Sequence, residues 1–387
     1  MAWTVALASS WTLTLSAQQG SGSSTDDSST LSKLRDFAQS HEEPDQGDGY
    51  HLTKHWAVAF GDIVSGQGIS IGPALSDRFS DGSYGQLKVE YSDRQFALAQ
   101  ARYDSRWGFD HRLAFTTRLR WVDAPSLSLY RIGPRSPLDF GTFAARHTEA
   151  SLHVLARPAP KLRITLGGGI ERYAIGGGAL PVNEDESLLS IPPLPGLSSR
   201  AWFTHLSLLA TLDSRKPTSE YSRSGGVISV QGDEYRDWHG PYSFHQVQGT
   251  AERLAVTFGG RGIADVLATV WISAPSSGGQ VPFFLMPTLG GGDYLEGYRL
   301  YRFRDRDAAL VRGEYRWAVH SYIDLAAAYE LGQVAPRAGA FAIDNIRRSV
   351  AAGVRVHSAT ATLFTLDLAH SREGFEVAVN VGLSPGR

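Results

Sequence analysis

The sequence has no cysteine in 387 residues and only 2 methionines. Without cysteine there is no disulfide framework and no thiolate-held zinc or iron–sulfur centre. A chain free of stray thiols fits export through an oxidising compartment. No run of 18 or more apolar residues occurs, which argues against a membrane-spanning helix. Nor does one sign of charge dominate. The 37 Lys and Arg against 39 Asp and Glu leave a net of −2, which is no footprint for nucleic acid. Walker A, HExxH and GxSxG signatures are missing too, so no enzyme, cofactor or metal site is expected.

What is there is glycine, 41 residues, with 11% aromatics. That balance points to an all-β chain. A membrane protein without an apolar helix must close its strands into a barrel, because lipid cannot satisfy open backbone groups. A soluble β-sandwich or lipocalin-like binder is the competing reading, and the pattern along the chain has to decide.

Residues 1–17, MAWTVALASSWTLTLSA, are apolar and small and read as a secretory signal with cleavage near Ala17. Residues 18–62 read as a polar linker leading into the barrel, with Ser, Asp, Glu and Gln dense up to residue 50. The barrel itself is placed at 63–387.

From Ile63 onward, segments of about ten residues alternate apolar and polar, separated by Gly, Pro, Asp and Ser clusters. In 112–121, Leu113, Phe115, Leu119 and Trp121 share one face, and Arg112, Thr116, Arg118 and Arg120 share the other. In 86–91, Leu87, Val89 and Tyr91 oppose Gln86, Lys88 and Glu90. Arg163 in 161–166 and Arg312, Glu314 and Arg316 in 311–317 repeat the charged face. Segments this long suit a tilted membrane strand. Aromatics at their ends, Tyr103, Trp107, Trp121, Tyr173, Trp202, Trp238 and Trp317, suit interfacial girdles.

The spacing predicts about 16 antiparallel strands over 63–76, 83–92, 94–104, 111–122, 142–156, 161–174, 200–213, 223–235, 243–258, 262–273, 281–288, 307–319, 321–330, 346–357, 359–370 and 374–384. The Gly- and Pro-rich stretches 123–141, 175–199 and 289–306 become extracellular loops. Three triple-glycine runs at 167–169, 176–178 and 290–292 suit turns and strand kinks. His147 and His153 share a strand face but lie about 20 Å apart along it, too far for one metal. His370 and Ser371 are neighbours on a strand, so they point to opposite faces and cannot form a dyad.

One segment is more specific. After Gly290-Gly291-Gly292 come Leu295-Glu296-Gly297-Tyr298 and Arg299, then the Arg-rich Tyr301-Arg302-Phe303-Arg304-Asp305, then Glu314-Tyr315-Arg316. On the next strand lies Ala328-Tyr329-Glu330-Leu331-Gly332, and 361–375 carries Asp367. In these residues the chain resembles the bacterial surface antigen superfamily, which includes the BamA and TamA assembly proteins and two-partner-secretion transporters. The first tetrapeptide sits where that superfamily has Val/Leu/Ile-Arg-Gly-Phe/Tyr on an inward-folding sixth extracellular loop. The second sits where it has Phe-x-Asp-x-Gly.

The resemblance implies a transmembrane barrel of the bacterial outer membrane, here without POTRA domains. It implies a role in protein insertion or translocation, with outer-membrane lipid and client outer-membrane or secreted proteins as partners. A pore or a surface-exposed interaction barrel is the alternative. The superfamily joins its loop arginine to the aspartate of the second motif, but both positions here are glutamate, Glu296 and Glu330. Arg299 is the natural substitute on the loop, with Glu330 or Asp367 as acceptor. Arg312, Glu314 and Arg316 are the other candidate partners on the wall. A gate between first and last strands would lie between 63–76 and 374–384, where Gly66, Gly68 and Gly72 weaken pairing.

Overall fold

In the computed structural model the chain divides into Met1–Gln46 and Gly47–Arg387. The residues described here run from 50 to 381, except 52, 54, 61, 62, 65, 67, 109–111, 139–140, 178–193, 217–222, 292–293 and 358–361. The expected signal at 1–17 and most of the expected linker lie outside them.

Sixteen strands form one antiparallel sheet: β1 Trp56–Phe60, β2 Ser70–Arg78, β3 Tyr84–Ser92, β4 Ala97–Asp104, β5 Leu113–Leu129, β6 Gly141–Ala159, β7 Leu162–Gly177, β8 Arg200–Asp213, β9 Gly225–Asp237, β10 Phe244–Thr257, β11 Gly262–Pro275, β12 Asp307–His320, β13 Ile323–Ala335, β14 Arg347–His357, β15 Thr362–Ser371 and β16 Gly374–Val381. Each pairs with its chain neighbour. A two-residue strand, Tyr50–His51, adds beside β1. Among the described residues there is no α-helix, and no helix that is long and apolar enough to cross a membrane.

The expected strands are found with two corrections. Residues 281–288 make no sheet strand. They carry a 3₁₀ turn, Phe283–Leu285, and a short ladder of Thr288–Leu289 with Phe303–Arg304. In their place Trp56–Phe60, inside the stretch read as linker, opens the sheet. The supposed loop 123–141 is also shorter, because β5 runs on to Leu129 with a bulge between Ala124 and Leu127, where Pro125 cannot donate to the ladder.

The sheet is inside out by the standard of a soluble protein. On β3 the outward Leu87, Val89 and Tyr91 are 57, 55 and 57% exposed, while Lys88 and Glu90 between them are 3 and 1% exposed. The same parity runs through β8, where Leu206, Leu208 and Leu212 are exposed and Phe203 and Asp213 are buried. Tyr173, expected in a girdle, faces the buried side, where it stacks on His147 at 4.3 Å.

Contacts across the buried side show how far the sheet curls. In a flat sheet at ~4.8 Å per strand, β6 and β14 would stand about 38 Å apart. Yet Arg347 at the start of β14 donates to the Pro134 carbonyl, in the connection before β6, and Arg135 Nε donates to Asn345 Oδ1 at 3.2 Å. The first connection turns inward as well: Ile63 packs with Phe96, Leu98, Val122 and Ala124, and Arg120 donates to its carbonyl at 2.7 Å.

Candidate functional site

Counting connections at one end of the sheet, β1–β2 is the first and β11–β12, residues 276–306, is the sixth. This sixth connection is the longest of that set, and it lies against the buried face of β12 to β15. Its path begins with Gly290 and Gly291 at positive φ, which lets the Gly291 N–H reach the Tyr298 carbonyl at 2.9 Å. The turn presents Leu295, itself at φ 57°, to a cluster of Trp271, Leu289, Tyr298, Phe303, Leu310 and Val334. Burial of that side chain holds the left-handed backbone in place. The wall makes room through Gly332, where a Cβ would come within 3.0 Å of Leu295.

Three further contacts seat the loop. The Glu296 amide donates to Glu330 Oε2 at 2.7 Å. The Gly297 amide donates to Ser349 Oγ at 2.7 Å, and the Ser371 hydroxyl donates to the Gly297 carbonyl. Gly297 is pressed so close that a Cβ would fall 2.7 Å from the His370 carbonyl group. Farther along, Arg302 donates from Nε to Glu373 at 2.8 Å and from Nη2 to the Ser136 carbonyl at 2.7 Å.

The charges do not join as the sequence suggested. Arg299 is half exposed and stands 3.8 Å from Glu376, not against Glu330 or Asp367. Both oxygens of Asp367 are taken by Arg355 Nη1, at 2.6 and 2.8 Å. The cation between the two motif glutamates comes instead from the wall. Arg312 Nη1 lies 2.8 Å from Glu296 and 3.7 Å from Glu330, and its Nη2 lies 2.7 Å from Glu314. Glu314 also meets Arg355 at 3.1 Å and Arg316 at 3.5 Å, and Arg316 reaches Asp265 at 4.0 Å.

The cluster therefore holds five carboxylates, Asp265, Glu296, Glu314, Glu330 and Asp367, on three guanidinium groups. On the loop, burial lifts the Glu296 carboxyl to about 7, with Arg312 pulling the other way and Glu330 and Asp367 adding to the rise.

A curled sixteen-strand antiparallel sheet with its sixth connection laid on β12–β15 is comparable with solved structures. It superposes on BamA from Haemophilus ducreyi lacking POTRA domains 1–3 with a TM-score of 0.62 at 11% identity, over 85% of this chain and 69% of that one. CdiB from Escherichia coli gives 0.57 at 13%, over 87% of this chain and 63% of that one. CdiB from Acinetobacter baumannii gives 0.51 at 9%, over 86% and 60%. The chain has the BamA and CdiB fold. At these identities the likeness is one of fold. No protein-family model matches the sequence, and no curated protein matches it. In that fold the β11–β12 connection and the wall beneath it are where the two motif resemblances of the sequence come together.

Ser349, Arg355, Ser371 and Asp265 complete the site, and no motif marks them as partners of the loop. All have the parity of the charged face on their strands, so alternation alone places them on the correct side. A second polar row crosses the opposite wall. His147 Nε2 lies 3.3 Å from Glu171, Glu171 lies 2.7 Å from His205 Nδ1, and His205 Nε2 lies 3.0 Å from Asp233. Arg118 adds a 2.8 Å pair with Glu149. This row links β5 to β9 without touching the loop motif. Ser371 is buried on Gly297, and His370 points outward from the same strand.

Proposed function

We propose that this chain is a transmembrane β-barrel of the bacterial outer membrane whose sixth loop docks inside the lumen, and that it serves in inserting or translocating client proteins there. The observation that carries the reading is the inverted burial of the sheet. An apolar band faces out and a charged, hydrogen-bonded face is enclosed, which is stable only where lipid replaces water outside.

Closure of the sheet is supported by the loop itself. Arg299 meets Glu376 on β16, while Leu300 touches Gly66, between β1 and β2, so closely that a Cβ there would lie 2.6 Å from it. One short segment thus reaches both ends of the strand order. The long connections lie on the extracellular side, and the short turns face the periplasm.

The role in insertion or translocation rests on the fold shared with BamA and CdiB and on the motif pair. The test is reconstitution into lipid vesicles with an unfolded outer-membrane protein supplied as client. The expected result is assembly of the client several-fold faster than in empty vesicles; no acceleration would remove that role. The alternative, a standing pore, is disfavoured by the loops that meet across the interior, at Arg135–Asn345 and Arg302–Ser136. Steady, large conductance in planar bilayers would restore it.

A further inference from the structure

On β6, β7 and β8 the outward face carries an apolar band: Leu152 and Val154, then Leu166 and Ile170, then Leu206, Leu208 and Leu212. At the long-loop end of these strands the band stops at a different chemistry. Arg146 on β6 pairs in register with Ala174 on β7, and Ala174 pairs with Arg200 on β8. Arg172 lies two residues below Ala174 and is paired with Trp202. All three arginines share the parity of the apolar band, so they point outward, and all three are exposed.

The register fixes their spacing. Arg146 and Arg200 stand two strands apart, about 10 Å, and Arg172 sits about 7 Å along its strand from the point between them. Long flexible arginines on that triangle can converge on one centre. Arg172 already lies over the Trp202 ring at 5.4 Å, and Trp202 stacks on Trp238 at 5.5 Å. Among the described residues one carboxylate opposes the trio, Asp123, which holds Arg146 at 2.9 Å. Next along the row, Arg236 is matched by Glu234 at 2.9 Å, so that pair adds no net charge.

We propose that Arg146, Arg172 and Arg200 bind the phosphate group of an anionic lipid headgroup in the outer leaflet. This rests on the barrel reading above. The argument is charge complementarity in position. Among the described residues, three guanidinium groups with one carboxylate leave a net positive patch at the depth where the apolar band ends and tryptophan begins. That depth is where lipid phosphates lie. Guanidinium forks suit phosphate oxygens, and a stacked tryptophan pair beneath them suits the glycerol or sugar below the phosphate.

The test is native mass spectrometry of the detergent-solubilised protein with lipid A, whose phosphates can be removed while its acyl chains are kept. The expected result is that the phosphorylated form is retained about tenfold better than the dephosphorylated form, at low salt. Asp123→Asn should widen that preference. The triple variant Arg146→Gln, Arg172→Gln, Arg200→Gln should abolish it, and Arg172→Gln alone should reduce it if the triple variant folds poorly. Equal retention of the two lipids by the unmodified protein would overturn the proposal, as would a preference that survives in the triple variant. Displacement by millimolar inorganic phosphate would overturn the assignment to a lipid. Heat-modifiable migration of the same samples tests the barrel separately: a protein that fails that test fails as a barrel, whatever it binds.

Discussion

At the scale of single residues, Gly297 and Arg312 hold the loop to the wall, one through close backbone contact and the other through charge. Alanine at Gly297 puts a methyl group 2.7 Å from the His370 carbonyl group, backbone that cannot step aside. Overpacking of this kind costs about 1–3 kcal/mol, so Gly297→Ala should release the loop to proteases while the strands stay folded, read by limited proteolysis. Arg312 is enclosed by three carboxylates, and removing it leaves Glu296 and Glu330 facing each other. Breaking such a buried arrangement costs about 3–5 kcal/mol. Arg299, half exposed and 3.8 Å from Glu376, should cost below about 1 kcal/mol on replacement by alanine. Denaturation of the Arg312→Ala and Arg299→Ala proteins in parallel gives the order, and equal losses would contradict the geometry. Glu296 adds a pH dependence. Its carboxyl rises from an ordinary 4.5 to about 7 when the loop is seated. A raised carboxyl means that the seated loop binds the proton more tightly than the free one. The contribution is therefore complete below pH 4.5 and lost as pH rises through 7. The facing groups are Arg312 and Glu314 on β12, Glu330 on β13, Arg355 on β14 and Asp367 on β15. Protease release of the loop should accelerate between pH 5 and 8, and Glu296→Gln should flatten that slope. The motif positions were legible because Leu295, Gly297, Tyr298 and Gly332 stand at the motif spacing around the two glutamates. Arg312 was legible as one of several wall candidates, but not as the group that stands between the two glutamates, because it lies on another strand among other charges of the same parity.

At the scale of elements, alternation located fifteen strands and failed at two places for opposite reasons. The segment 281–288, VPFFLMPT, is rich in apolar residues and reads as a strand. Pro282 and Pro287 cannot donate to a ladder, and Phe283 drops into a pocket with Leu129, Phe143, Ile175 and Leu194 instead. The segment WAVAF, 56–60, shows no polar alternation because its inward residues are Ala57 and Ala59, packed on Ala74 of β2. Small size does there what charge does on the other strands, and a pattern that looks for charge passes over it. The first of the sixteen strands is accordingly β1, of 5 residues, and not the stretch 63–76. The curl of the sheet is testable at this scale because the chain has no cysteine and, apart from Met1, a single methionine, Met286. Arg135→Cys with Asn345→Cys, joined by a short bis-maleimide, should hold the two cyanogen bromide fragments together, since positions 135 and 345 lie on either side of Met286. Separate fragments would mean that the connections before β6 and β14 do not meet.

At the scale of the molecule, the decisive quantity is which face of the sheet water touches. On β8 the outward apolar residues run from Trp202 to Leu212, ten residues or about 33 Å along the strand, and near 25 Å upright at the usual tilt. That matches the apolar band of an outer-membrane barrel. A soluble sandwich would need the same strand turned the other way. The two possibilities give opposite answers to a pair of neighbouring substitutions on β9. Val230 is 52% exposed on the outward face, and Ser229 beside it faces in. If lipid lies outside, Val230→Arg places a charge in the apolar band and should cost about 2–4 kcal/mol of unfolding free energy in vesicles. Ser229→Arg joins a wet, charged wall and should cost little. If water lies outside, Val230→Arg is harmless, and Ser229→Arg is the damaging change because it forces a charge into a dry core. Urea titration of the two proteins, folded into lipid vesicles and followed by tryptophan fluorescence, distinguishes these outcomes by the sign of their difference. Because that difference depends on strand parity alone, it holds whatever client, lipid or solute the barrel serves.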